Sequence, residues 1–326
     1  MDSGERQGYP NYVSISEVVR TRPAYRPYAA TVAEVQRLSP HFTRVVFTGA
    51  DFGVFGTAGL DQRIKLILPL SDGTVSDIGQ HDGDEMDAAE WYARWRALPP
   101  ATRSPLRTYT VRRIDPAARR LTVDFVVHHD AGPAGSWAEQ AAIGQEIVIV
   151  GPDQRSENHR QGLDWHPGTA RRVVLAGDET ATPAICAILE SLDDSCEVDA
   201  FIEVPTAADR LALDVPDGFR VSWLAREDRP HGAALTEALT AWSRAAGDVL
   251  AAAAAPRRQE LADIDVDRDL LWDSPEDSEG EFYAWIAGEA ATVKGLRRHL
   301  VQGCGVDRKR VAFIGYWRLG QSERQE

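Results

Sequence analysis

Cysteine is scarce in this chain of 326 residues. Its three cysteines are Cys186, Cys196 and Cys304. They are too few and too scattered for a disulfide framework or a zinc site, because both need paired spacings. We therefore predict no resident metal ion, and the low cysteine content favours a reducing cytoplasm as the location.

Long apolar runs are also missing. Nowhere do roughly 18 apolar residues follow one another, which is the length that a membrane-spanning helix needs. Residues 1–12 are polar and lack the apolar core of a signal peptide. These absences predict neither export nor membrane insertion, and residues 1–25 are expected to form a flexible tail.

Positive charge is in short supply. The chain has 36 Lys and Arg against 50 Asp and Glu, which gives a formal net charge of −14. Nucleic acid and anionic membrane surfaces are therefore not expected as partners, and an anionic ligand needs a local basic cluster. The length exceeds the usual size of one domain, so we expect two.

The first half of the chain reads as short strands separated by turn formers. The predicted strands are residues 28–38, 43–48, 63–68, 107–113, 121–128 and 146–150. Such a succession favours an antiparallel β-barrel or sandwich, and we assign a β-barrel domain to residues 26–155. One exception is the stretch 79–103, whose later part has helical spacing and is interpreted as a helix covering the barrel.

The second half alternates between strands and helices. Predicted strands are residues 173–176, 196–204, 220–225, 283–287 and 310–314, and predicted helices are residues 184–192, 233–255 and 290–301. This alternation is typical of a doubly wound parallel sheet in an α/β domain, which we assign to residues 165–320.

Residues 107–112, with the sequence RTYTVR, combine an aromatic ring with cations and hydroxyls. Side chains alternate along a strand, so Arg107 and Tyr109 share one face, and Thr108 and Thr110 share the other. A planar ring beside a cation that can bind phosphate suits a flavin dinucleotide. The same residue types are also common in ordinary strands.

Residues 177–183, with the sequence GDETATP, follow the first predicted strand of the second half. They lack the G-x-G-x-x-G spacing of a dinucleotide fingerprint, but ligands in such sheets bind at the carboxyl ends of the strands. Asp178 and Glu179 would repel a pyrophosphate, so the nicotinamide half of a cofactor is expected nearest to them. Alternatively, both acids only complement the dipole of the following helix.

These two segments belong to an ordered set that covers most of residues 25–320. The other segments are residues 123–138, 151–152, 284–290 and 315–320, the last with the sequence GYWRLG. In this order the set resembles the siderophore-interacting protein family of ferric-siderophore reductases. The resemblance implies the architecture of the ferredoxin-NADP reductase superfamily: an N-terminal flavin-binding barrel and a C-terminal nicotinamide-binding domain.

The resemblance also implies which residues hold the cofactors. For FAD, Tyr109 would stack on the isoalloxazine and Arg107 would pair with phosphate. The other implied flavin residues are Thr108, Thr110, His128, Gly132, Pro133, Ala134, Ser136 and Trp137. The implied nicotinamide residues are Gly177, Asp178, Glu179, Thr180 and Glu289. Lys65 and Arg318 match basic positions for an anionic iron(III) chelate, although both could be ordinary surface charges.

The implied reaction passes electrons from NADH or NADPH through FAD to a ferric siderophore, and iron leaves as Fe(II). Electron transfer through FAD needs no acid or base from the protein. The donor stays open: Glu203 stands where an acid would bind the ribose of NADH, whereas Arg226 and Arg229 could receive the 2′-phosphate of NADPH. A reduced ferredoxin is an alternative donor, and a monomer is expected.

Two other functions remain: a related flavin or ferredoxin reductase that uses no siderophore, and a siderophore-binding protein without enzymatic activity.

Overall fold

The N-terminal domain is a curled antiparallel sheet. The computed structural model describes residues 22–82, 90–127, 132–262, 264–266, 269 and 271–321. In this part of the chain, seven strands pair in the order β4-β3-β7-β1-β2-β6-β5. They are β1 (Tyr25–Ser39), β2 (Phe42–Thr48), β3 (Arg63–Ile67), β4 (Leu106–Thr110), β5 (Arg113–Asp115), β6 (Arg120–Val126) and β7 (Glu146–Pro152).

The sheet forms a half-barrel because its two ends curl toward each other. Tyr109 of β4 and Phe125 of β6 have ring centroids 4.5 Å apart. Alternation along β1 and β2 places Tyr28, Val45 and Phe47 inside, where all three are fully buried. The predicted antiparallel architecture of this domain is confirmed. Its exact boundaries, like the limit of the N-terminal tail, stay predictions.

Two short helices accompany this sheet. Helix α1 (Glu90–Ala97) lies within the stretch that was expected to contain a covering helix. Its Trp95 packs with Ile67 and Val148, and the indole Nε1 donates to the carbonyl of Ser104 at 2.9 Å. Helix α2 (Pro133–Glu139) presents Ala134 and Ala138 to the barrel core.

The C-terminal domain is a doubly wound sheet. Its strand order is β10-β9-β8-β12-β13-β11, and every pair is parallel except β13 with the edge strand β11. The strands are β8 (Arg172–Gly177), β9 (Glu197–Val204), β10 (Arg220–Ala225), β11 (Trp272–Asp273), β12 (Phe282–Glu289) and β13 (Val311–Trp317). The predicted parallel sheet is confirmed, and the antiparallel edge strand was not predicted.

Helices cover both faces of this sheet. They are α3 (Thr182–Leu189), α4 (Ala233–Ala245), α5 (Gly247–Ala252) and α6 (Ala290–Arg297). Helix α3 packs on one face, and α4 and α6 pack on the other. The helix predicted over 233–255 is two helices, because the backbone leaves the helical region at Ala246, where φ is −96° and ψ is 29°.

The strand order reverses between β8 and β12, which are neighbours in the sheet but far apart in sequence. Such a reversal opens a crevice beyond the carboxyl ends of the two strands. Residues 177–183 and Glu289 stand at this rim. Among the described residues, no helix has both the length and the apolar character to span a bilayer.

Candidate functional site

A cleft of about 580 Å³ lies where the two domains meet. Its walls come from β3, β4 and β6 of the half-barrel and from β11, β13 and the segment that follows β8. The lining residues are Arg63, Lys65, Arg107, Thr108, Tyr109, Thr110, Asp124, Val126, Gly132, Thr180, Pro183, Trp272, Gly315, Tyr316, Trp317 and Gln321. The volume is within the usual range for small-molecule sites.

Strands β3 and β4 build the basic wall of the cleft. Their register pairs Lys65 with Thr108 and Arg63 with Thr110, so these four side chains share one side of the two strands. The Lys65 ammonium donates to Thr108 Oγ1 at 2.5 Å. Arg107 also lines the cleft, and its Nη1 donates to the carbonyl of Leu106 at 2.7 Å.

Tyr109 lies on the other side of β4, in register with Ile64. Its half-buried ring packs against the barrel core through Phe125 and still borders the cleft. The two sides of β4 both reach the cleft because β4 is the terminal strand of its sheet. The strand therefore presents a ring, a guanidinium and two hydroxyls to one space, whereas alternation alone predicts only the ring and the guanidinium together.

The segment around α2 contributes less directly. Gly132 lines the cleft, and a Cβ there would meet no atom within 4 Å. Ala134 is buried and the Trp137 ring packs against Phe125, so both belong to the barrel core. Trp137 Nε1 is a buried donor with no partner among the described residues.

The remaining predictions for this segment concern three residues. Pro133 occupies the first turn of α2, and Ser136 is exposed. His128 lies outside the described residues. Cofactor roles for these three residues stay predictions.

The residues present fit FAD. Arg107 and Lys65 are cations suited to a diphosphate, Thr108 and Thr110 add hydroxyl groups, and Tyr109 supplies a planar ring for a planar isoalloxazine. The indole N–H of Trp137 is a further donor without a partner among the described residues, in the helix that begins next to the cleft residue Gly132. Within the described ranges, no group of three His, Cys, Asp or Glu is placed to hold a metal ion.

Asp178 is almost fully buried and holds the second wall of the cleft together. Its Oδ2 accepts hydrogen bonds from the Glu289 amide at 2.7 Å and from Trp317 Nε1 at 2.8 Å. Its Oδ1 accepts from the amide and hydroxyl of Thr180. Burial, followed by the charge of Glu179, raises the pKa of Asp178 to about 6. Asp178 thus fixes Thr180 and Trp317, which line the cleft, whereas its own contact with a cofactor stays a prediction.

Glu179 lies in a buried ion network. Arg226 donates from Nη1 and Nη2 to the two carboxylate oxygens of Glu179, both at 2.9 Å, and also reaches Glu203 at 3.2 Å. Glu203 accepts from the amides of Gly232 at 2.8 Å and Leu235 at 2.9 Å, at the start of α4. The two conflicting donor cues, Glu203 and Arg226, are thus each other's partners.

Gly177 and Glu289 have clear structural roles at the rim. A Cβ on Gly177 would lie 2.6 Å from Ala181 Cβ and 2.7 Å from the carbonyl oxygen of Ala287. Glu289 is the N-cap of α6, where its Oε2 accepts from the Thr292 amide at 2.8 Å. Neither side chain lines the cleft, and their cofactor roles stay predictions.

The two predicted substrate residues lie in different places. Lys65 lines the cleft, whereas Arg318 does not. The Arg318 guanidinium donates to the carbonyl of Asp269 and approaches Gln321.

Sequence reasoning missed the roles of Arg63 and Trp272. Alternation with Lys65 could have revealed Arg63, which stands two residues earlier on the same strand. Trp272 lies in a two-residue strand that has no periodic signal. Tyr316 of β13 and Thr110 of β4 line the cleft from its two walls.

Family models match both domains. The model for a siderophore-interacting FAD-binding domain matches residues 31–156, and the model for siderophore-interacting proteins matches residues 170–320. The chain belongs to the siderophore-interacting protein family. An uncharacterized protein of Mycobacterium tuberculosis is 34% identical over 304 residues, which cover 92% of this chain and 93% of that protein.

Two further relatives carry informative descriptions. An NADPH-dependent ferric-chelate reductase of Escherichia coli is 26% identical and is matched over 91% of this chain and 95% of its own length. The crystal structure of a siderophore utilization protein from T. fusca superimposes with a TM-score of 0.66 at 29% identity. That match covers 92% of this chain and 96% of the other.

Proposed function

We propose that this protein is an FAD-dependent ferric-siderophore reductase that takes electrons from NAD(P)H. One observation carries the proposal: a single cleft joins the flavin strand β4 of one domain to the carboxyl-end rim of the other. The E. coli relative is a ferric-chelate reductase, and the family is siderophore-interacting. A flavin between a nicotinamide and an iron chelate is what this reaction requires.

The chain's residues bind and orient the reactants. Arg107 would bind the diphosphate of FAD, and Tyr109 would pack on its ring system. Thr180, held by Asp178, stands at the rim where a nicotinamide would enter. Bound FAD supplies a carrier that accepts two electrons together and passes them on singly. Fe(II) is held less firmly than Fe(III) by hard oxygen ligands, so reduction favours release of the iron.

The buried ion network limits which residues could bind the ribose of the nicotinamide donor. Because Arg226 and Glu203 are engaged with each other, we propose that neither reads the ribose of the donor. Arg229 is exposed and pairs with Glu237 at 2.7 Å, so it is the better candidate for a 2′-phosphate. We further propose that the protein is a cytoplasmic monomer and that a reduced ferredoxin is an alternative donor.

Anaerobic spectroscopy of the purified protein tests the proposal. We expect NADPH or NADH to bleach the absorbance of bound flavin, and a ferric siderophore to restore it with Fe(II) captured by a chromogenic chelator. Arg107→Met should lower the flavin occupancy, whereas Arg113→Met, at an exposed position of β5, should not. Bleaching without reoxidation by the siderophore would indicate a related reductase, and a protein that binds siderophore without flavin would indicate a carrier.

A further inference from the structure

Arg63 is held in one orientation at the wall of the cleft. Its Nε donates to the carbonyl of Gly162 at 3.2 Å, and its Nη2 pairs with Asp164 Oδ2 at 3.1 Å. The guanidinium carbon lies 4.1 Å from the ring centroid of Trp272. Three contacts from two other segments of the chain therefore fix this cation, and about a third of its side chain remains exposed.

Trp272 is held by the same carboxylate. Its Nε1 donates to Asp164 Oδ1 at 2.8 Å, so one side chain fixes both members of the Arg63–Trp272 pair. Tyr316 lies nearly parallel to Trp272, with ring centroids 6.4 Å apart and an interplanar angle of 22°. Asp164 is itself anchored, because its amide donates to the buried Asp61 at 2.9 Å. Contacts within the chain itself therefore hold the pair in place.

Cations outnumber carboxylates among the residues that line the cleft, although the chain as a whole is acidic. Arg63, Lys65 and Arg107 line the cleft, and the only carboxylate among its described lining residues is Asp124. Asp124 is neutralised by Arg44, which donates to both of its carboxylate oxygens at 2.7 and 2.8 Å. Arg63 is likewise paired with Asp164, and Arg107 would bind FAD, so a second ligand in this cleft meets Arg63 as one half of an ion pair, together with Lys65 and the aromatic rings.

We propose that the Arg63–Trp272 pair is a specificity element that makes this cleft prefer anionic aryl chelates of iron(III), the tris(catecholates), over neutral trihydroxamates. This inference rests on the proposed function. A tris(catecholate) complex carries net negative charge and exposes aryl rings, so it satisfies both the guanidinium and the indole. A trihydroxamate complex of iron(III) is uncharged and has no aryl ring, so it gains neither contact.

Gallium(III) complexes test this preference without any redox step, because Ga(III) has the size and charge of Fe(III) but is not reduced. Titration calorimetry would compare a hexadentate tricatecholate and a hexadentate trihydroxamate, each loaded with Ga(III), on the oxidised flavin-loaded protein. We expect the tricatecholate to bind at least about tenfold more tightly, which corresponds to one good charged contact. Its affinity should also fall as ionic strength rises.

Substitutions of Arg63 and Trp272 then test whether these two residues cause the preference. Arg63→Met and Trp272→Leu should each weaken tricatecholate binding by about tenfold and leave trihydroxamate binding nearly unchanged. Arg63→Lys keeps the charge but loses the planar guanidinium that stacks on Trp272. Its affinity for the tricatecholate should therefore lie between that of Arg63→Met and that of the unaltered protein. Arg113→Met removes an arginine from β5, away from the cleft, and should change neither affinity. Far-ultraviolet circular dichroism of each variant verifies that it has folded.

Equal affinity of the unaltered protein for the two gallium complexes would overturn the proposal. The proposal would also fail if Arg63→Met and Arg63→Lys each weakened the binding of both complexes by the same factor. Reduction of the corresponding ferric complexes by NAD(P)H is measured separately. A clear preference without reduction would retain the specificity element and refute the reductase. Reduction of both complexes without a difference in affinity would retain the reductase and refute the specificity element.

Discussion

Asp61 connects both domains and the segment between them through one carboxylate. Its Oδ2 accepts from the amide of Asp164 at 2.9 Å and from Trp285 Nε1 at 3.1 Å. Its Oδ1 is buried and has no partner among the described residues. Burial, and then the charge of Asp164, raise the pKa of Asp61 from 3.8 to about 6.

This pKa predicts a specific dependence of stability on pH. Between about pH 4 and pH 6 the folded protein keeps a proton on Asp61 that the unfolded chain has lost, so its contribution to stability declines as the pH rises through that window. Asp61→Asn cannot ionise. We therefore expect the unfolding free energy of the variant, relative to the unaltered protein, to rise by on the order of 2 kcal/mol across the window and to stay level above it.

Unfolding followed by tryptophan fluorescence at a series of pH values measures this difference. Asp217→Asn, at an exposed carboxylate, is the matched control and should show no such trend. A constant difference between Asp61→Asn and the unaltered protein from pH 4 to pH 8 would show that Asp61 titrates normally.

Individual residues also show how far the sequence could lead. The alternation in residues 107–110 predicted a ring and a cation at one site, and β4 presents them there, because alternation is a local property of any strand. The roles of Asp178 and Glu179 could not be predicted. Their partners Trp317 and Arg226 are 139 and 47 residues away, and no local pattern reports such distances.

At the scale of elements, the type and order of helices and strands were predictable where a periodic apolar pattern extends over many residues. The strands of the half-barrel and the alternation of the C-terminal domain are confirmed for that reason. Strand β11 has only two residues, and the break between α4 and α5 lies in an alanine-rich stretch with continuous helical character. Both depend on tertiary packing, which local propensity does not encode.

The junction of β8 and α3 is packed too tightly for a side chain at Gly177. The Ala287 oxygen belongs to the neighbouring strand β12, in register with Gly177, and cannot move without disrupting the sheet. We expect Gly177→Ala to lower the unfolding free energy by about 1–3 kcal/mol, the usual penalty for overpacking. Denaturant unfolding measures this loss.

Gly247→Ala is the matched control for this substitution. A Cβ on Gly247, at the start of α5, meets no atom within 4 Å. Its substitution should be neutral or stabilising by up to about 1 kcal/mol, because alanine favours a helix more than glycine does. Equal effects at the two positions would contradict the packing argument.

At the scale of the whole molecule, apolar packing and several polar contacts join the two domains. Phe42 of β2 is fully buried in the core of the C-terminal domain. Asp209, which follows β9, accepts from Ser39 Oγ at 2.7 Å and lies 2.8 Å from His41 Nδ1. The sequence predicted two domains but not this interface, because its contacts pair residues from distant parts of the chain. These contacts join the two domains that form the walls of the cleft.

Arg112 provides a direct measure of this coupling. It stands just beyond β4, and its Nη1 and Nη2 donate to Glu190 at the end of α3, at 2.8 and 2.5 Å. A carboxylate at a helix C-terminus is unfavourable by itself, so Arg112 offsets a local repulsion as it joins the domains. Arg112→Met and Glu190→Gln should therefore each destabilise the protein.

The double variant should lose less unfolding free energy than the two single variants lose together. The difference should be about 1 kcal/mol, as expected for a bidentate pair that is partly exposed. Thermal unfolding of the four proteins of this cycle, monitored by flavin release and by far-ultraviolet circular dichroism, gives the coupling energy. If the interface holds the flavin wall in place, Arg112→Met should separate the two transitions, with flavin leaving before secondary structure is lost. Additive losses with coincident transitions would instead mean that the apolar contacts around Phe42 alone join the domains.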